Sequence, residues 1–371
     1  MRTRLLVVFG TAMLVWLLPF GAPPLVAQAP PATRSFDRTA VDPQTAIKAA
    51  IEAAKKEAAG NFTASKTPWG DPDLQGYYLG ATYTPLERPL ALKDKEFYTE
   101  EEAALAFRKA VEDDAAVDPK NVHYDWKEYG MDAWQSGVRP SLRTSLIVDP
   151  RDGRIPPLTR EAEKRRADRL AAARARNPEV GVQTLPTFYT RCIMGNAGGG
   201  PLVRGGNPAG ANALGSAGGV TAEFQLVQAP GYVLIITESN SDAHIVPLDG
   251  RPHVPSKVRS WLGDSRGHWE GSTLVVETTN FNDKSPGTNY QGSTDALRLV
   301  ERFSLVGPKS MRYQYTVTDP QTWTQPWSVD STIPRIDPPL YEFACHEQNY
   351  GVMNVVRGAQ ISEAEAATKR R

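Results

Sequence analysis

The sequence predicts a mainly β protein, with an antiparallel barrel in its C-terminal half and an irregular N-terminal region carrying two or three helices. Three observations predict it. First, apolar or alternating runs follow one another after Thr221: "AEFQLVQAPGYVLIITES", read as two strands about Ala229-Pro230-Gly231, then "STLVVETTNF", "LRLVERFSLV" and "SMRYQYTVTD". Second, Pro, Gly, Asn or Asp separates the runs, and no helical pattern lies between them. Third, residues 221–358 make about 140 residues, the length of one small barrel. No clean internal repeat appears, so a propeller is excluded.

The elements before the barrel follow in order. Residues 1–29 read as a signal peptide: Arg2 and Arg4, an apolar run from Leu5 to Leu18, then Ala27-Gln28-Ala29 as an A-x-A cleavage pattern. A periplasmic or secreted location follows from that reading. No second run is apolar and long enough to span a membrane. Residues 30–66 read as a linker and an Ala-rich helix, "QTAIKAAIEAAKKEAA", expected to dock weakly or not at all. Asn61 opens an N-F-T sequon by pattern.

Residues 67–220 read as a wrapping region. "TPWGDPDLQGYYLG" is a turn leading into a strand. Thr99 and Glu102 stand at capping-box spacing and start a helix. A second helix starts at Thr159, charged nearly all round, and a solvated face explains it better than a patch for an anionic partner. The Gly-rich stretch 195–219 lacks both a closing Lys-Ser/Thr and a strand–GxGxxG–helix frame, so it reads as a loop rather than a phosphate cradle. Residues 359–371 read as a polar tail.

Composition limits the function classes. Lys+Arg and Asp+Glu both number 42, so no basic excess points to nucleic acid. Cys192 and Cys345 are the two cysteines, and in an oxidising compartment they are expected to pair. Closing so long a loop is worth about 5 kcal/mol in the chain-entropy model. No cofactor or metal motif is present: none of the five histidines forms an H-x-H or H-E-x-x-H pair, and there is no G-x-S-x-G.

Alternation places Glu301 on the face of Leu297, Leu299, Phe303 and Leu305, and Glu277 with Val275, Thr279 and Phe281. A carboxylate among apolar groups needs a reason. Three readings stay open: general acid and base for a glycosidic bond; structural pairs with Arg259, Arg302 or Arg312; or a bulge that turns both carboxylates to solvent. His244, two residues from Asp242, is a third catalytic candidate in the enzymatic reading. In "WLGDSRGHWEGSTLVVETTNF", "GDSRG" reads as a hairpin turn freed by Gly263 and Gly267, with Asp264 and Arg266 on its rim. Trp261, Asp264, Arg266, Trp269, Arg259 and Tyr313 are the candidate ligand contacts, the aromatics as a stacking platform.

Six stretches together resemble one group of exported bacterial proteins: "TPWGDPDLQG", "TPLERP", "DGRIPPLT", "PLDGRPH", "WLGDSRGHWEGSTLVVETTNF" and "YEFACHEQNYG". The resemblance covers about residues 67–358. The strand succession also resembles lipocalin-like barrels. Neither resemblance implies a reaction, and neither carries a catalytic residue across. Two function classes follow. One is an exported barrel protein whose partner is a small hydrophobic, aromatic or sugar-like ligand. The other is a hydrolase or lyase acting on a glycoside or similar molecule through Glu277, Glu301 and His244.

Overall fold

The computed structural model describes residues 43–60, 62–115, 137–174, 192, 200–203, 222–282, 292–337, 340–347 and 349–369. Residues 1–29, read as a signal peptide, Asn61 and most of the Gly-rich stretch lie outside them. In chain order the elements are α1 (Pro43–Ala58), β1 (Gly76–Leu79), α2 (Glu100–Ala115), β2 (Ile147–Asp149), α3 (Arg160–Arg174), β3 (Glu223–Ala229), β4 (Tyr232–Thr237), β5 (Ala243–Pro247), β6 (Asp264–Glu270), β7 (Thr273–Thr279), β8 (Arg298–Gly307), β9 (Ser310–Thr318), β10 (Trp327–Ile336) and α4 (Tyr350–Lys369).

The ten strands form one sheet in the order β5-β4-β3-β1-β10-β9-β8-β7-β6, with β2 also on β10. Every pairing is antiparallel. The hydrogen-bonded path is open at β5 and β6, so the mainly β class holds while the ladder does not close. The two end strands nevertheless pack together, side chains from β5 and the residue after it lying on the β6 backbone. A Cβ built on Gly267 of β6 would stand 2.7 Å from Val246 Cγ1 of β5 and 2.7 Å from Leu248 Cδ2. A residue without a side chain is what lets the seam close this far.

Period-two alternation fills the inner face. On β8, Leu299, Glu301 and Phe303 are buried; on β9, Tyr313, Tyr315 and Val317; on β10, Trp327, Val329 and Ile333. Tyr313, Tyr315, Trp327 and Trp323 pack ring against ring.

The helices follow their end signals. In α2 the capping box is made: Glu102 N donates to Thr99 Oγ1 at 3.2 Å and Thr99 N to Glu102 Oε2 at 2.8 Å. Thr159 caps α3 through Ala162 N at 3.1 Å. The helix expected to dock weakly, α1, does dock: Ile51 is buried with Ala103 and Ala104 of α2. Much of the stretch read as a polar tail is helical, α4, started by Asn349 accepting from Val352 N at 3.2 Å.

Cys192 and Cys345 form a disulfide. Two of the quoted stretches lock each other. The buried Arg88 guanidinium of "TPLERP" donates to Thr144 Oγ1 and Arg151 O, both at 3.0 Å, and Arg88 N donates to Gly153 O at 2.8 Å. Glu87 Oε1 accepts from Ile155 N at 2.9 Å.

Candidate functional site

The stretch 261–281 folds differently from its reading. "DSRG" lies inside β6, and the chain turns at Gly271-Ser272, where Glu270 pairs with Thr273. Positive φ occurs at Gly271 (61°), which suits a two-residue hairpin turn with glycine first. Gly263 (φ 75°) lies just ahead of the strand. Asp264 and Arg266 are therefore strand residues. With His268 they share the outer face, while Ser265 and Gly267 are buried.

That placement gathers a charged constellation with the loop between β5 and β6. Asp264 Oδ2 contacts His253 Nδ1 at 2.8 Å and accepts from Val254 N at 3.1 Å. Asp264 Oδ1 accepts from Arg266 Nη1 at 2.7 Å, and Arg266 Nε donates to Pro252 O at 3.1 Å. On β7, opposite Arg266, stands Glu277. It accepts two hydrogen bonds from Arg298 of β8, at 2.9 and 2.6 Å, and lies 3.7 Å from His253 Nε2. The Arg298 hydrogen bonds hold the Glu277 carboxyl below its ordinary range. His268 contacts Glu270 at 3.2 Å, and Arg302 donates to Glu270 at 2.6 Å. The same loop is stapled further along by Arg259, which donates to Phe281 O at 2.9 Å and Asp295 O at 2.7 Å.

Glu301 sits elsewhere, on the inner face of β8. It is buried and accepts from Tyr313 Oη at 2.5 Å, while Tyr313 Oη accepts from Leu202 N at 3.0 Å. Burial pushes the Glu301 carboxyl up to about 7, against the opposing pull of the Tyr313 hydroxyl. His244 lies part-buried on β5, and burial pushes its imidazole down to about 4. Glu277, Glu301 and His244 thus occupy the outer face, the interior and an end strand, and they do not form one cleft. The candidate aromatics separate likewise. Tyr313 is buried, Trp269 packs partly buried against the core, and Trp261 is at the surface.

A second pair of carboxyls was not singled out in the sequence. Burial, and then the nearby Glu238, push Glu223 up to about 7; burial also raises Glu238, which accepts from Tyr341 N at 3.1 Å. Among the described residues no group of three or more His, Cys, Asp or Glu side chains could hold a metal ion.

A cavity of about 450 Å³ lies between α1, the 137–143 segment and the β9–β10 pair. Ile51, Leu142 and Ile333 give it apolar wall, and Thr84, Ser141 and Thr332 give it hydroxyls. Arg139, Arg143 and Arg312 also line it. Arg139 is held by Glu57 at 3.0 Å and Ser310 at 2.6 Å, and Arg312 by Asp330. None of these residues was a ligand candidate in the sequence; Arg312 was named there only as a possible partner for Glu277 or Glu301. They come from five separated stretches, and only the packing of α1 on the sheet brings them together.

Comparison of the chain with known protein families, with curated proteins and with solved structures found no match.

Proposed function

We propose that this chain is an exported barrel protein that binds a small, sugar-like molecule. The observation that carries the reading is the cavity beside β9–β10. Its volume of about 450 Å³ falls in the range of small-molecule sites. Its lining pairs apolar patches with hydroxyl and guanidinium donors, the mixture that a polyhydroxylated ligand uses. Arg139 and Arg312 are already positioned by Glu57, Ser310 and Asp330, so little of their side-chain ordering is left to oppose binding. The leader pattern and the Cys192–Cys345 disulfide support export into an oxidising compartment. The side-chain seam of Val246 and Leu248 on Gly267 supports a barrel whose last junction closes by packing rather than by a ladder.

The test is native mass spectrometry of the mature protein after incubation with pooled oligosaccharides, lipids and aromatic metabolites. A sugar-like compound retained unchanged at one per chain, and lost in Ala54→Trp, is the expected result. Ala54 is exposed on α1 at the rim, so the indole blocks the cavity without entering the core. Equal retention by the variant, or no retention by either protein, overturns the assignment.

A further inference from the structure

We propose that His253 is the proton-transferring base of a separate site that hydrolyses small carboxylic esters, with a water molecule as the nucleophile. The argument starts from the tautomer. The Asp264 carboxylate accepts hydrogen bonds, so its 2.8 Å contact puts a proton on His253 Nδ1, and in the neutral imidazole the lone pair is then on Nε2. That nitrogen lies 3.7 Å from Glu277 Oε1. Two acceptors have no hydrogen to share, and at this separation they suit a water that donates one hydrogen to each. A water so held turns its oxygen lone pairs outward, toward solvent and substrate.

The frame is rigid on both sides. Asp264 is fixed by Arg266 and Val254 N, and Glu277 by Arg298. It is also open, for the His253 and Glu277 side chains are 25% and 34% exposed. The charged and titratable groups around the imidazole are Asp264 and Arg266 on β6 and Glu277 on β7, with His268 and Arg298 acting on Glu277.

In the reaction the water oxygen bonds to the ester carbonyl carbon as its proton passes to His253 Nε2. The tetrahedral intermediate then collapses, the bond from carbon to the alkoxide oxygen breaks, and the alkoxide takes the proton from the imidazolium. One carboxylic acid and one alcohol result, and the imidazole returns neutral. A glycoside fits less well, because its cleavage needs a protonated carboxylic acid at the leaving oxygen, and Arg298 keeps Glu277 ionised. His253 is the catalytic residue here, and Asp264 a positioning residue.

The experiment follows hydrolysis of 4-nitrophenyl acetate by the full chain from pH 5 to 9. The expected wild-type rate exceeds that of buffer alone and rises with pH, as general-base catalysis requires. His253→Gln lowers it on the order of a hundredfold. Asp264→Asn changes the shape of the pH–rate profile as well as lowering the rate, which a merely structural residue would not do. Glu277→Gln keeps the Asp264–His253 contact and lowers the rate with an unchanged circular dichroism spectrum. The proposal is overturned if either His253→Gln or Glu277→Gln hydrolyses the probe at the wild-type rate, or if the wild-type chain does not hydrolyse it; His253 then serves only to pin the loop between β5 and β6. If His253→Gln does not fold, the Glu277→Gln rate decides alone.

Discussion

Glu301 and Glu277 are both carboxylates on neighbouring strands, yet their environments push them in opposite directions. Glu277 faces outward and is ionised against Arg298; Glu301 faces inward and is raised to about 7 by burial. An acid whose folded pKa exceeds its unfolded value binds more protons when folded, so stability falls as pH rises from about 4.5 to about 7. A shift of this size corresponds to about 3 kcal/mol. Glu301→Gln removes that loss while keeping an acceptor for Tyr313. We therefore expect the variant to unfold at higher urea than wild type at pH 8 and at nearly the same urea at pH 4.5. Equal midpoints at pH 8 would contradict the assignment. The Glu301 position was legible because β8 alternates cleanly from Leu299 to Phe303. Glu277 was harder because β7 buries Val275 and Val276 alike, so apolar neighbours do not report the face. Its partner, Arg298, is a diagonal neighbour across the ladder rather than Arg259, Arg302 or Arg312. His253 carried no periodic signal, since it reaches Asp264 from a loop.

At the scale of elements, the end strands β5 and β6 depend on Gly267. Its backbone lies outside the positive-φ region, so its role is close approach and not turn geometry. Gly267→Val would drive two methyls into Val246 and Leu248. A cost of about 1–3 kcal/mol is expected, read as a lower thermal midpoint with faster amide exchange in β5 and β6 than in β9. A loss shared evenly by all strands would mean that the seam is not the weak junction. The same glycine shows where the sequence misleads. Gly263, Gly267 and Gly271 look alike in the chain, and only Gly271 makes the hairpin turn. Helix starts were more legible: Thr99 with Glu102, and Thr159, act through local contacts that spacing alone determines.

For the whole molecule, the strand succession and the cysteine pairing were legible, because alternation is local and two cysteines admit one intramolecular pairing. The cavity was not, since α1, the 137–143 segment and β9–β10 are far apart in the chain. Removing the disulfide with Cys192→Ser and Cys345→Ser together is expected to cost about 2–5 kcal/mol, measured by urea unfolding. An unchanged midpoint would show that the bond adds nothing to the fold. The central claim is that the cavity between α1 and β9–β10 binds a small polar ligand. Hydrogen exchange in the presence of the compound retained in the mass-spectrometric screen tests it most directly. The account predicts added protection in α1 and in residues 137–146; protection confined to the loop between β5 and β6, or none, would contradict it.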